Sequence, residues 1–167
     1  EMNSIRVFAP ATIANVVCGY DVLGFAVKDP GDEVVMKLTP TGGVKITEIT
    51  GDDGRLPYDP GLNTVTVSVS HYLKAIQRED VGVELTLHKK MPIGSGLGSS
   101  SASTVAGLFA INELMGAPLS PEQLLPFAMK GEEIACGTGH ADNVAPALYG
   151  GFVLIRSYDP LDVIKLP

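Results

Sequence analysis

The chain has 167 residues, and its 45% hydrophobic and 19% charged content excludes an intrinsically disordered protein. Twelve Lys and Arg against nineteen Asp and Glu give a formal net charge of -7, which repels a polyanion and argues against a nucleic-acid partner. No stretch reaches the ~20 apolar residues that a membrane span needs, and Cys18 and Cys136 form no C-x-x-C pair. We therefore expect a cytoplasmic globular protein with neither a membrane nor a nucleic-acid partner.

The N-terminal third of the chain has the patterns of β-strands. Strands are predicted over residues 4–9, 20–28, 33–39 and 44–49, with a small-residue turn at 10–15 and an Asp-Pro-Gly turn at 29–31. The runs at 33–39 and 44–49 alternate, with Val44, Ile46 and Ile49 on a mostly shared face. We expect both to be strands of an antiparallel sheet, followed by a loop over residues 51–61.

The next segments predict one helix and one strand. Asn63 is placed to cap a helix that runs to about residue 77, although Val65, Val67 and Val69 would also suit a strand. The length of the segment favours the helix, because strands rarely exceed ~10 residues. Residues 83–88 alternate cleanly, which predicts a strand that leads into a glycine-rich segment.

The C-terminal third predicts three more helices and two strands. Apolar residues at helical spacing predict a helix over about 102–114, and a capping box at Ser120 and Gln123, with Pro121 between them, begins another that ends near 135. A short helix at 141–148 and strands at 152–157 and 162–166 complete the chain.

The most informative segment lies between the strand at 83–88 and the helix after it. It reads Pro92, Ile93, Gly94, Ser95, Gly96, Leu97, Gly98, Ser99, Ser100, Ser101, Ala102. Glycines permit positive φ and let the backbone approach a ligand, while successive N–H groups at a helix N-terminus attract an anion. The serine hydroxyls add donors or a ligand for Mg²⁺. Phosphate is the natural occupant of such a loop.

Other interpretations of this segment are weaker. A P-loop needs Lys followed by Ser or Thr after its last glycine, and a dinucleotide fingerprint needs glycine where Ser99 stands. A hydrolase elbow with Ser100 as nucleophile needs an acid and then a His downstream. The last His is His140, and between Ser100 and His140 the only acids are glutamates, so this interpretation has little support. A plain turn with a serine-rich helix cap is the remaining alternative.

The segment from Pro92 to Ala102 resembles the phosphate loop of the GHMP kinases. Residues 9–26 and 139–152 resemble two further segments of the branch that phosphorylates the side-chain hydroxyl of L-homoserine, a step toward threonine. The resemblance implies an α/β fold of the α+β type, with a mixed, largely antiparallel sheet and helices packed on one side. It also implies that residues 1–167 are the ATP-binding N-terminal domain of an enzyme about twice as long.

The resemblance also implies roles for residues around the loop. The loop residues 92–102 would hold the triphosphate of ATP, with Asn63 and Lys90 on the side of the adenine. Ser99 and Glu132 would bind Mg²⁺, and together with Asp142 they would form the catalytic group. The competing interpretations are that Asn63 only caps its helix and that Glu132 and its neighbour Glu133 are solvated helix charges.

The expected substrate side consists of Asn15, Asp21, His140 and Asn143, which would contact the amino acid. From the residues alone, Asn15 and Asp21 would be turn residues, Asp142 and Asn143 would cap a helix, and His140 would be structural. Cys18 and Tyr20 stand where the family commonly has Pro and Phe, beside the substrate loop.

Residues after 161 have a strand pattern that stops with the chain, so we expect the C-terminal domain of the family to be missing. An exposed sheet edge and an uncovered apolar cleft would then favour self-association or a homodimer. Two alternatives stay open, a GHMP kinase for another small molecule and a nucleotide-binding module that has lost the chemistry.

Overall fold

A computed structural model of the protein describes residues 3–16, 19–92, 94–137, 139 and 141–167, without the side chains of residues 19–22, 135, 136 and 152. In chain order the elements are β1 (Ser4–Val16), β2 (Gly19–Thr39), β3 (Gly43–Thr50), α1 (Thr64–Ala75), β4 (Gly82–His88), α2 (Ser99–Leu114), α3 (Pro121–Cys136), α4 (Val144–Tyr149), β5 (Phe152–Tyr158) and β6 (Leu161–Lys165). The predictions at Cys18, Ile93 and His140 fall outside the described residues.

The strands form one six-stranded sheet in the order β3-β4-β2-β5-β6, with β1 paired to β2. Among the strand pairs of the described residues, β3 and β4 alone run parallel, which confirms the expected mixed, largely antiparallel sheet. The strands predicted at 33–39 and 44–49 both form. Residues 33–39 pair antiparallel as expected, whereas the antiparallel expectation is wrong for residues 44–49, because β3 pairs parallel with β4. Alternation specifies a strand and its buried face, whereas its partner depends on contacts distant in sequence.

The two N-terminal turns predicted at 10–15 and 29–31 are wrong, because both segments lie inside β1 and β2. The pairing jumps from Pro10 opposite Gly31 to Thr12 opposite Ala26, so residues 27–30 form an extra bulge on β2. A Cβ on Gly31 would lie 2.4 Å from the Ala9 carbonyl oxygen, which explains why a glycine occupies this position. The turn residues therefore mark a bulge within a long bent ribbon.

The helices cover one face of the sheet. In β4 the side chains of Val83, Leu85 and Leu87 are buried, whereas Glu84, Thr86 and His88 on the other face are half-buried. Their alternation confirms the predicted strand, and its apolar face joins the core formed with the helices. None of the helices in the described part of the chain is long and apolar enough to cross a bilayer.

The predicted starts of two helices, α1 and α3, agree with the structure, whereas α2 and α4 begin three residues from their predicted starts. Asn63 is the N-cap of α1, where its side-chain oxygen accepts the Val65 N–H at 3.0 Å. Ser120 and Gln123 form the complete capping box at the start of α3. Helix α2 is buried along most of its length and contacts β1, β2, α1 and α3. The central helix therefore fixes the position of the glycine-rich loop that precedes it.

Candidate active site

The glycine-rich loop joins the end of β4 to the first turn of α2. Gly94, Gly96 and Gly98 have φ values of +74°, +77° and +66°, a region that side chains with a Cβ rarely adopt. Gly98 is the N-cap of α2, and no side chain caps the helix or places an acid in its first turn. Among the described residues, no side chain therefore caps the N–H groups at the positive end of the α2 dipole, which argues against a plain serine cap.

Strand β1 holds the far end of the loop. The Thr12 N–H donates to the Leu97 carbonyl at 3.0 Å, and the Thr12 hydroxyl donates to Asn143 Oδ1 at 2.8 Å. A Cβ on Gly98 would lie 2.3 Å from Thr12 Oγ1 and 3.0 Å from Asn143 Oδ1. A glycine is therefore required at position 98 for two reasons: its φ is positive, and a side chain would clash with Thr12 and Asn143. Thr12 in turn links the loop to the segment before α4.

A buried ion pair lies behind the loop. Lys89 Nζ is 2.6 Å from Asp32 Oδ2, and the side chains are only 3% and 0% exposed. Burial lowers the pKa of the Lys89 ammonium, and the Asp32 carboxylate beside it opposes that shift. We did not predict either residue as part of the site. Asp32 follows a turn signal and Lys89 comes directly after the end of β4, positions that are usually exposed, so no local pattern marks them as partners.

The loop forms one side of a cavity of about 520 Å³. The other side is apolar and is formed by Leu56, Pro57, Leu62, Val65 and Ile134. Leu62 is 62% exposed and Ile134 is 44% exposed, so both offer uncovered apolar surface at the cavity. A pocket with a polar loop facing apolar side chains suits a ligand with both an anionic and an aromatic part.

The apolar side is supported by Asp52. Its carboxylate accepts the Leu56 N–H at 3.0 Å, and this hydrogen bond lowers the pKa of the Asp52 carboxyl. Asp52 is buried, although the surrounding residues 51–55 are mostly exposed loop. The buried carboxylate therefore fixes the backbone that carries Leu56 and Pro57 into the cavity.

Most of the predicted nucleotide-side residues line this cavity: Asn63, Gly94, Ser95, Gly96, Leu97, Gly98, Ser99, Ser100, Ser101, Glu132, together with Asn143 from the predicted substrate side. Asn63 also donates from its side-chain amide to the Pro57 carbonyl, so the side chain both holds the backbone at Pro57 and lines the cavity. The structure thus assembles a single site from the loop, α1 and α3.

Other predicted residues are not brought to the cavity. The Lys90 ammonium pairs with Glu33 at 2.8 Å on the surface, and Ala102 is fully buried in the core. Pro92 is exposed and does not line the cavity. Ile93 and the side chain of Asp21 lie outside the described part of the chain, as His140 does.

Two of the serine hydroxyls donate to different carboxylates. Ser99 Oγ donates to Asp32 Oδ2 at 2.8 Å, whereas Ser101 Oγ donates to Glu132 Oε1 at 2.8 Å. Glu132 is 7% exposed. Its neighbour Glu133 is 49% exposed and pairs with Lys130 at 2.7 Å. The structure therefore separates the two glutamates as expected, but it places Ser101 rather than Ser99 beside Glu132.

The residues predicted for the substrate side come from distant segments. Asn15 lies near the end of β1 with a φ of +57°, and Asp142 is buried just before α4. Asn143 is the N-cap of α4, but its side chain makes no capping hydrogen bond and accepts from Thr12 instead. Asn143 therefore occupies the predicted cap position of the helix, although its side chain does not cap the helix.

The donors at the cavity fit Mg²⁺ bound together with phosphate. Among the described residues no three His, Cys, Asp or Glu side chains come together as a metal site. Mg²⁺ commonly keeps several waters and uses one or two carboxylates plus substrate phosphates, so it needs no cage of protein ligands. A single carboxylate, Glu132, with serine hydroxyls beside it meets that requirement.

Comparison with known proteins agrees with this fold and loop. The family model described as GHMP kinases N terminal domain matches residues 63–151. The chain belongs to this kinase family.

Several similar proteins carry a narrower name. Homoserine kinase of Chlorobium phaeobacteroides (strain BS1) is 49% identical over 99% of this chain and 55% of its own length. The Arabidopsis thaliana homoserine kinase is 45% identical over 98% of this chain and 45% of its own length. The crystal structure of homoserine kinase from Cytophaga hutchinsonii ATCC 33406 is 65% identical, with a TM-score of 0.96, and covers 99% of this chain and 52% of that one. The chain spans about half the length of the curated relatives it matches.

Proposed function

We propose that this chain is the nucleotide-binding part of an enzyme that transfers the γ-phosphoryl group of ATP to the side-chain hydroxyl of L-homoserine. The product would be O-phospho-L-homoserine, an intermediate on the route to threonine. The observation that carries the proposal is the cavity between the uncapped N-terminus of α2 and an exposed apolar wall, with Glu132 at its edge. The names of its relatives support the choice of substrate.

In this proposal ATP spans the cavity. The adenine ring packs against Leu56, Leu62 and Ile134, which covers apolar surface that is now exposed. The triphosphate lies along the loop at the N-terminus of α2, where backbone N–H groups and the helix dipole favour negative charge. This arrangement also explains how a chain with a net charge of -7 holds a polyanion, because the neutralisation is local.

We propose Mg²⁺ as the metal, with Glu132 and Ser99 as its protein ligands. Glu132 already lies at the cavity with its carboxylate beside a serine hydroxyl, whereas the Ser99 hydroxyl would have to leave Asp32 to reach the metal. Bound Mg²⁺ would neutralise charge on the phosphate oxygens, which is the main requirement of phosphoryl transfer.

The acceptor is proposed to lie on the β1 and α4 side of the loop. Asn15, Asp21, His140 and Asn143 would orient the amino acid, with Asp142 beside them in the catalytic group. Asn143 supports this placement, because its side-chain oxygen is held by Thr12 next to Gly98, where the loop enters α2. An acceptor held there would have its hydroxyl close to the phosphates, as proximity catalysis requires.

The test is a turnover assay on the full polypeptide that contains residues 1–167. We expect release of ADP in proportion to added L-homoserine, with galactose and mevalonate at background. Equal turnover with mevalonate would contradict the substrate while leaving the kinase family intact. Binding of ATP without turnover of any acceptor would favour the non-catalytic module.

Glu132→Gln tests the metal role with a matched control. The amide keeps the shape and the acceptor for Ser101, but it removes the charge that binds Mg²⁺. We expect kcat to fall by about 100-fold or more, as for loss of a charged group in the transition state. Glu133→Gln, one residue along α3 on an exposed side chain, is expected to leave kcat within about twofold. Similar losses in both variants would refute Glu132 as the ligand.

We also propose that the protein works in the cytoplasm and self-associates. Two cysteines without a pairing motif favour a reducing compartment. Phe8 and Ile13 on β1 are exposed by 47% and 37% and offer apolar surface for a second copy. Sedimentation of the full polypeptide tests this, and a monomer at every concentration would contradict it.

A further inference from the structure

The Asp32–Lys89 pair contacts both ends of the glycine-rich loop. Asp32 Oδ1 accepts the N–H groups of Lys90 and Met91, at 2.8 Å and 3.2 Å, where the chain leaves β4. Asp32 Oδ2 accepts the hydroxyls of Ser99 and Ser103, at 2.8 Å and 3.1 Å, in the first turns of α2. One carboxylate on β2 therefore ties the entry of the loop to its exit.

Lys89 completes the connection. Its ammonium contacts Asp32 Oδ2 at 2.6 Å, the Ser99 carbonyl at 2.8 Å and Ser103 Oγ at 2.6 Å. A lysine ammonium has three N–H donors, so these three partners use its hydrogen-bonding capacity. Although Lys89 lines the cavity, it has no donor left for a phosphate and acts on the ligand through the loop.

The energetics point to positioning rather than to stability. A buried ion pair loses its hydration, and its attraction only roughly offsets that cost, so such pairs add little net stability. A loop with three glycines at positive φ has a large conformational freedom that a ligand must remove on binding. Tying both ends of the loop in advance removes part of that cost before ATP arrives.

We infer that Asp32 and Lys89 are a positioning pair that holds the phosphate loop and the first turn of α2 in the form that binds the polyphosphate of ATP. This inference deepens the proposed function and rests on it for the identity of the ligand. The pair is expected to affect the phosphate end of the nucleotide more than the adenosine end, because its side-chain hydrogen bonds go to the two ends of the loop and to α2.

The first test is Lys89→Met in the full polypeptide, with MgATP and adenosine titrated separately by calorimetry. Methionine keeps the length of the side chain and removes the charge. We expect MgATP affinity to fall by about 10- to 100-fold, which corresponds to loss of charge-assisted hydrogen bonds, and adenosine affinity to stay within about twofold. An equal loss for both ligands, or no loss for MgATP, would overturn the inference.

Lys45→Met is the matched control. Lys45 also pairs with a carboxylate, Glu84 at 2.7 Å, but on the exposed surface between β3 and β4. We expect this variant to bind both ligands like the wild type. Lys89→Arg, which keeps the charge but changes its shape, should recover part of the MgATP affinity.

Hydrogen exchange of the ligand-free protein separates this inference from the proposed function. In Lys89→Met we expect the amides of residues 94–101 to exchange at least about tenfold faster, and by a larger factor than the core amides of β4. Unchanged exchange in the loop would overturn the positioning role even if ATP does not bind the wild type. If Lys89→Met fails to fold, the double variant Asp32→Asn, Lys89→Met removes both charges, keeps acceptors for the N–H groups of 90 and 91, and is measured in the same way.

Discussion

The two sides of the candidate site are built in different ways. The phosphate side is nearly contiguous, with β4, the loop and the start of α2 in one stretch of chain, and the buried Asp32–Lys89 pair fixes it from behind. The acceptor side joins β1 to the segment before α4, and a hydrogen bond from Thr12 to Asn143 links them. A short motif therefore suffices for one side, whereas the other exists only after the chain has folded.

The junction between the two sides is Gly98, and Gly98→Ala should have the largest effect. Alanine would combine a φ of +66° with a Cβ 2.3 Å from Thr12 Oγ1, so β1 or the loop must move. We expect a loss of roughly 3 kcal/mol or more in the free energy of unfolding, together with loss of ATP binding. Urea unfolding and calorimetry measure the two effects.

Gly96→Ala is the control that measures only the cost of placing a side chain at a positive φ. Gly96 has a φ of +77°, but a Cβ there would meet nothing within 4 Å, so about 1–2 kcal/mol is expected. Adding Thr12→Ala to Gly98→Ala should recover part of the loss by removing the nearest clash. If the two glycine variants lose equal stability, close approach to β1 is not the reason for Gly98.

Thr12→Val should affect the acceptor side and spare the phosphate side. Valine keeps the buried shape and the N–H that bonds Leu97, but it removes the hydroxyl that holds Asn143. Losing that buried hydrogen bond costs about 1–2 kcal/mol, so we expect the KM for L-homoserine to rise roughly 5- to 30-fold. The KM for ATP should stay within about twofold, and Thr12→Ser should resemble the wild type. A parallel rise in both KM values would show that Thr12 supports the whole loop.

Tyr72→Phe tests the core away from both sides and should have the smallest effect. Tyr72 is fully buried on α1 and donates to Asn112 Oδ1 at 3.0 Å, which also accepts the Leu119 N–H. Because Asn112 keeps a partner, we expect a loss of about 1 kcal/mol near neutral pH and unchanged KM values.

The Tyr72→Phe variant also tests how the stability of the protein depends on pH. Burial raises the pKa of Tyr72 to about 12 from 10.0, so the folded protein holds this proton more tightly than the unfolded chain. The stabilisation that comes from this difference in pKa is fully present below pH 10 and is lost as the pH rises toward 12. Wild-type stability should therefore fall more steeply over this range than that of Tyr72→Phe. Parallel curves of stability against pH for the two proteins would contradict the raised pKa of Tyr72.

Local patterns in the sequence predicted the helix caps at Asn63 and Ser120, the alternating strand β4 and the phosphate loop. Each depends on residues within a few positions of one another, where backbone geometry and hydrogen bonding decide the outcome. The same local reasoning failed at residues 10–15 and 29–31, where turn residues form a bulge because the long ribbon of β1 and β2 continues on both sides.

The sequence by itself determined the family and the glycine-rich loop, because a contiguous motif contains that information. Only the tertiary structure decided that β4 lies between β2 and β3, that Asp32 meets Lys89, and that Thr12 holds Asn143. These contacts join residues far apart in the chain, and their energies depend on burial. No single segment can specify such contacts, since each partner has no distinguishing pattern until the other is placed beside it.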